Sequence, residues 1–149
     1  MSTDEQVRKN LIEVLEDGKK GFAEAADKLA ESNRMDLVAK FRDYSEQRGE
    51  FASELRNMAG SDDDSLTESG SAGAALHRGW MAIKDALTGS DAEGVLDVAE
   101  QGEDHAVSEY EKALDETDIS IDLRNVIERQ FAVVQAAHDD VRALRDATT

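Results

Sequence analysis

Apolar side chains recur at steps of three and four residues in four long segments of the chain. This spacing is the strongest constraint on its fold, because an α-helix has 3.6 residues per turn and such steps stay on one helical face. The chain contains no proline, so nothing in it interrupts long helices. The second segment is the most regular, and its inner face carries Leu37, Phe41, Tyr44, Arg48, Phe51, Leu55 and Met58.

Three further segments show the same spacing and predict three more long helices. The first runs from Thr3 to about Glu31, the third begins after Ser90, and the fourth follows the loop DETDIS. Their inner faces carry, in chain order, Val7, Leu11, Val14, Leu15, Gly18, Phe22, Ala25 and Leu29; Val95, Val98, Ala99, Gly102, Ala106, Tyr110 and Ala113; Leu123, Ile127, Phe131, Val134, His138, Val141 and Leu144.

The second and third helices are separated by a long connection at about residues 60–90. It opens with the Gly-, Ser- and Asp-rich stretch AGSDDDSLTESGSAG and continues with the apolar AALHRGWMAIKDAL, which predicts a short helix. The sequence therefore predicts an all-α fold, an antiparallel four-helix bundle. Two helical hairpins are joined by a crossover that carries a short extra helix, and residues 1–149 form a single domain.

Charge and composition limit the classes of partner. The formal net charge is −17, with 34 acidic and 17 basic residues. Binding to nucleic acid or to anionic lipid requires a basic face, so we expect neither partner. The chain has no cysteine and no signal-like or membrane-spanning apolar run, which favours a cytoplasmic protein. The acidity is also compatible with high solubility, cation binding or life at high salt.

The two hairpins resemble each other in sequence. LIEVLEDGKKGF (residues 11–22) aligns without a gap on VLDVAEQGEDHA (residues 95–106), so that Gly18 falls on Gly102 and Glu16 on Glu100. A glycine inside a helix costs about 1 kcal/mol relative to alanine. We therefore expect Gly18 and Gly102 to mark a level at which helices pass closely.

Several motifs carry a resemblance to a known family. GKKGF in the first helix, ALHRGWM after the crossover, GED in the third helix and the ending AAHDDVRALRD resemble a bacterial domain-of-unknown-function family. Its members are small four-helix-bundle proteins in the ferritin-like superfamily, distantly similar to rubrerythrin and bacterioferritin. The resemblance implies a ferritin-like fold, and it implies no particular activity.

Active members of that superfamily hold two irons between the helices, and the resemblance implies where their ligands would fall. Their pattern is a Glu on the first and third helices and Glu-x-x-His on the second and fourth. Carried over by position, the pattern retains only two ligands and places other side chains at the remaining ones. The core polar residues at this former metal level would be Lys19, Arg48, Glu103, Gln135 and His138.

Arg48 interrupts an otherwise apolar seam, and two interpretations of it remain open. It could pair with Glu103, or with Glu16 or Glu100, across the centre of the bundle and so replace metal cations by a protein cation. It could instead extend from the edge of the seam into solvent.

Three hypotheses about function follow, and the third is a scaffold adapted to high salt, because acidic residues far outnumber lysines. In the first, the protein is a non-enzymatic, stress-associated or interaction bundle with a degenerate dimetal site, no cofactor and no catalytic residue; a homo-oligomer is compatible with it. In the second, it is a di-iron, ferroxidase-like or iron-handling protein, with iron or another divalent metal bound by Glu16, Glu50, Glu103 and His138. No nucleophile–base pair is identifiable in the sequence, so it predicts no catalytic residue.

Overall fold

Four long helices make up the regular structure of the described residues. The computed structural model describes residues 3–59 and 92–148. The helices are α1 (Thr3–Glu31), α2 (Met35–Ala59), α3 (Ala92–Asp115) and α4 (Ile121–Thr148). These bounds confirm the predicted all-α class and the four predicted helices. The predicted crossover and its short helix lie outside the described residues.

Each helix packs against two others. The hairpin contacts are α1 with α2 and α3 with α4, and the hairpins meet where α1 packs on α3 and α2 on α4. Consequently α2 and α3 occupy one diagonal of the bundle, and α1 and α4 occupy the other. This arrangement is that of a four-helix bundle.

The buried apolar side chains form two clusters, one in each half of the bundle. Cluster 1 joins the N-terminal halves of α1 and α4 to the C-terminal halves of α2 and α3; it includes Leu11, Leu55, Tyr110 and Ile127. Cluster 2 joins the opposite halves of the four helices. In cluster 2 the rings of Phe22 and Phe41 pack edge to face, with their centres 5.3 Å apart. Neighbouring helices therefore run antiparallel. It also follows that α2 ends at one end of the bundle while α3 begins at the other.

A left-handed residue turns the chain from α1 into α2. Asn33 has a φ of 60°. The amide of Asn33 donates to the carbonyl of Ala30 at 3.1 Å, and the amide of Arg34 donates to that of Leu29 at 3.2 Å. These two bonds form a Schellman motif, in which asparagine is one of the few non-glycine residues that accepts the left-handed position.

A serine cap starts α4. The hydroxyl of Ser120 accepts a hydrogen bond from the amide of Leu123 at 3.2 Å, which satisfies one of the amides exposed at the helix start. The amide of Ser120 itself donates to the carboxylate of Asp4 on α1 at 2.9 Å. The second hairpin is thus attached to the beginning of the first.

None of the described helices has an apolar stretch long enough to cross a membrane. The predicted inner faces are confirmed in their main part, since Leu11, Phe41, Leu55, Leu123 and Val141 are all almost fully buried.

A candidate functional site in the middle of the bundle

A layer of buried polar side chains lies between the two apolar clusters. On each helix cluster 1 and cluster 2 are separated by one to two turns, and those turns carry the polar residues. We call this set the polar layer: Asp17 on α1, Arg48 on α2, Glu100 and Glu103 on α3, and His138 on α4. Each is at most 8% exposed. Buried charged residues are uncommon and need partners, so this layer is the candidate site.

Arg48 and Glu103 form a forked ion pair at the centre of the polar layer. Nη1 and Nη2 of Arg48 donate to the two carboxylate oxygens of Glu103 at 2.5 and 2.6 Å. Both side chains are 1% exposed. The pair joins α2 to α3 across the diagonal of the bundle. The predicted pairing of Arg48 with Glu103 is confirmed, and the alternative in which Arg48 reaches solvent is wrong.

Phe22 and Gly18 of α1 lie beside the Arg48 side chain. The guanidinium carbon lies 5.2 Å from the ring centre of Phe22, within the range of a cation–π interaction. A Cβ added at Gly18 would lie 3.7 Å from both Cγ and Nη1 of Arg48. Burial alone would lower the pKa of Arg48, but the charge of Glu103 and its hydrogen bonds outweigh burial and raise it. Arg48 therefore stays a cation.

Two tyrosines extend polar contacts from this centre towards α4. The hydroxyl of Tyr110 donates to Gln130 at 2.8 Å, and the Gln130 amide donates to Glu54 on α2 at 2.8 Å. The hydroxyl of Tyr44 donates to Asp140 at 2.6 Å. Burial raises the pKa of Tyr110, and burial together with the bond to Asp140 raises that of Tyr44. Both tyrosines therefore remain neutral hydrogen-bond donors well above neutral pH.

His138 links α4 to α3 at the edge of the polar layer. Its Nε2 lies 2.5 Å from a carboxylate oxygen of Asp104, and its Nδ1 lies 3.1 Å from one of Asp139. Burial alone would lower the pKa of His138, yet the hydrogen bonds to Asp104 and Asp139 raise it above its ordinary value. A second link lies beside it, where Arg145 donates to Glu100 at 2.7 Å.

Comparison with known proteins identifies the family. Residues 6–116 match the model of a family described as a domain of unknown function, DUF2383. The chain belongs to the DUF2383 family. A comparison with curated proteins gives no match. The matched residues span nearly all of α1, all of α2 and all of α3, so both members of the central ion pair lie inside the DUF2383 match and His138 lies outside it.

Two of the five residues predicted for the core of this DUF2383 bundle lie elsewhere. Lys19 is exposed, and its side chain lies over Gly49 on α2, so its predicted place in the core is wrong. The reason is helical phase: Lys19 is rotated by about 100° from the buried Gly18. Gln135 is half-buried and donates to the exposed carboxylate of Asp139 at 3.3 Å, so it does not point to the centre either.

The four ligands of the metal hypothesis are not assembled in the DUF2383 bundle. Glu103 is bound by Arg48, and Glu16 accepts a hydrogen bond from Arg56 at 3.1 Å. Glu50 is exposed on α2. Both ring nitrogens of His138 face carboxylate oxygens, so neither directs a lone pair into an open coordination site. Within residues 3–59 and 92–148 no three His, Asp or Glu side chains form a group that could hold a metal ion.

A close helix passage does not explain the glycine at position 18. Its nearest neighbours outside α1 are side-chain atoms of Arg48, at an ordinary contact distance, so a methyl group has room there. Gly102 is half-buried. The glycine at position 18 is therefore not required by the approach of another helix.

Several members of the polar network escaped prediction from sequence. Gln130 is fully buried and lies between Ile127 and Val134 at core spacing, which is a signal that could have identified it. Glu54 and Asp140 carry no such signal, because their roles depend on side chains brought to them by other helices.

Proposed function

We propose that this DUF2383 protein is a non-enzymatic bundle of the ferritin-like type that acts as an interaction or stress-associated protein. In this proposal a protein ion pair occupies the level at which metal-binding bundles of that type hold their metals. The single observation that supports it is the Arg48–Glu103 pair, which engages both oxygens of the carboxylate at the bundle centre.

The electrostatics of the pair support the same proposal. A dimetal centre requires an excess of carboxylates to balance its positive charge. Here the central carboxylate is already balanced by a guanidinium at hydrogen-bond distance. A divalent cation beside Arg48 would meet strong repulsion in this desolvated position.

Metal content of the purified protein tests the proposal. The protein is expressed in medium supplemented with iron and manganese, purified without chelators, washed in high salt to remove ions from its acidic surface, and analysed by mass spectrometry. We expect far less than one iron or manganese ion per chain. Two tightly bound ions per chain, reduced in Glu16→Gln or Glu50→Gln variants, would support the metal hypothesis and contradict ours.

Self-association is part of the proposed interaction role and is tested separately. The chain has a mass of 16.3 kDa. Light scattering after size exclusion gives the mass in solution, over a range of protein concentrations and at two salt concentrations. A multiple of the chain mass is the expected result, and a monomer at every concentration would contradict self-association while leaving the metal result unaffected.

A further inference from the structure

Nε2 of His138 lies near both a hydrogen-bond acceptor and a hydrogen-bond donor. It cannot form hydrogen bonds with both in the same protonation state. Its Nε2 lies 2.5 Å from Oδ1 of Asp104, which can only accept a hydrogen bond. The same nitrogen lies 3.4 Å from Nη2 of Arg142, which can only donate one. A protonated Nε2 suits Asp104 and opposes Arg142, and an unprotonated Nε2 does the reverse.

Arg142 is also placed to replace the histidine as the partner of Asp104. Its Nη2 lies 3.7 Å from the same Oδ1 atom that faces His138. Arg142 is four residues beyond His138 on α4, so the two side chains share one helical face. We propose that His138, Asp104 and Arg142 form a pH-dependent link between α3 and α4, in which Asp104 exchanges the imidazolium for the guanidinium as the ring loses its proton.

The groups around the ring set the direction of the exchange. From α3 the carboxylate of Asp104 faces the ring. Oε1 of Glu100, also on α3, lies 3.9 Å from Nε of Arg142. From α4 the ring faces Asp139 at Nδ1 and Arg142 at Nε2. In the described part of the chain, no side chain of α1 or α2 makes a hydrogen bond or ion pair with the ring.

The sign of the pH dependence follows from this geometry. Burial opposes the charged ring, but the bonds to Asp104 and Asp139 raise the pKa of His138 above the reference value of 6.5. The folded protein then holds a proton that the unfolded chain releases. The stabilisation from the imidazolium link is complete below the unfolded pKa and is lost as the pH rises through the folded pKa. Above that pH, Asp104 is held by Arg142.

The arrangement also predicts which nitrogen keeps the last proton. Asp139 accepts from Nδ1, and Arg142 donates to Nε2 once that nitrogen is unprotonated. The neutral ring therefore carries its proton on Nδ1. A histidine in a simple ion pair with Asp104 would instead keep its proton on Nε2.

Nitrogen-15 and carbon-13 NMR of the imidazole rings across pH 5–10 tests the exchange, with the His138→Gln variant used to assign the signal. We expect His138 to titrate above 6.5 and to become the Nδ1-protonated tautomer. In Arg142→Ala we expect a higher pKa of His138, because a neighbouring cation that lowers this pKa is removed. Arg145→Ala is the matched control: it removes a cation that contacts Glu100 and should leave the titration of His138 unchanged.

Three results would overturn the proposal. The first is a neutral ring protonated on Nε2, and the second is an Arg142→Ala titration equal to that of the wild type. The third is a change in the nitrogen-15 signals of His138 when the titration is repeated with equimolar zinc in place of a chelator. Such a change would show that the ring binds a metal. Unchanged spectra in both conditions are the expected result.

Discussion

The guanidinium of Arg48 and the carboxylate of Glu103 meet through two parallel hydrogen bonds of 2.5 and 2.6 Å, although their helices lie on a diagonal of the bundle. The pair thus ties the first hairpin to the second through the core. Taking two charges out of water offsets much of their mutual attraction, so the pair is better viewed as setting register than as a large net stabilisation.

Removing one member of the pair should destabilise the protein strongly. In Arg48→Met the Glu103 carboxylate stays buried without its cation, and we expect the free energy of unfolding to fall by about 3–5 kcal/mol. The double variant Arg48→Met/Glu103→Leu removes both charges of the pair, and we expect it to recover most of that loss. Urea denaturation measures both. A double variant no more stable than Arg48→Met would show that the loss came from packing rather than from an unpaired charge.

Gly18→Ala should stabilise the protein. The new Cβ would lie 3.7 Å from Arg48, which is an ordinary contact, and alanine in a helix interior is favoured over glycine by about 0.5–1 kcal/mol. Gly49→Ala is a useful comparison, because its Cβ would lie 3.2 Å from Cδ of Lys19 and would have to displace that flexible side chain. Thermal unfolding compares the two. A loss of stability in Gly18→Ala would mean that Arg48 needs the space.

Removal of the Tyr110 hydroxyl should lower the free energy of unfolding more than removal of the Tyr44 hydroxyl. Tyr110→Phe leaves the buried Gln130 oxygen without its donor, which we expect to cost about 1–3 kcal/mol. After Tyr44→Phe, Asp140 keeps Lys40 at 3.0 Å and some contact with water, so the loss should be smaller. Equal losses from the two variants in urea denaturation would contradict the inferred role of the Tyr110–Gln130 bond.

Asn33→Ala should destabilise the turn between α1 and α2. A left-handed backbone costs alanine about 1–2 kcal/mol, and glycine pays no such cost. We expect the thermal midpoint to fall in Asn33→Ala and to rise slightly in Asn33→Gly. If the two variants move the midpoint in the same direction, the left-handed conformation at Asn33 is not what determines this turn.

The helices could be predicted because their information is local. Apolar spacing along each segment defines an inner face, and the faces predicted around Leu37 and Leu123 are buried. Arg48 was identifiable for the same reason, since a charge on an apolar seam is conspicuous. Lys19 was misplaced because it was positioned by family resemblance, while helical phase turns it to the surface.

The partners of buried polar groups were harder to predict. Arg48 had three candidate carboxylates in the sequence, and the folded bundle decides among them: Glu103 faces Arg48, whereas Glu100 is bound by Arg145 and Glu16 by Arg56. Asp104 is half exposed and looks in the sequence like any surface acid. Its role depends on His138 and Arg142, which reach it only when α4 folds back on α3.

The central claim is that a protein ion pair, and not a metal, occupies the middle of the bundle. Arginine side-chain NMR, recorded during a titration with the paramagnetic ion Mn²⁺, tests it most directly. We predict slowly exchanging guanidinium signals for Arg48 that are lost in Glu103→Gln. These signals should persist at stoichiometric Mn²⁺, while the signals of exposed arginines such as Arg42 broaden first. Broadening of the Arg48 signals at one or two equivalents of Mn²⁺ would place the metal beside the pair and contradict the claim.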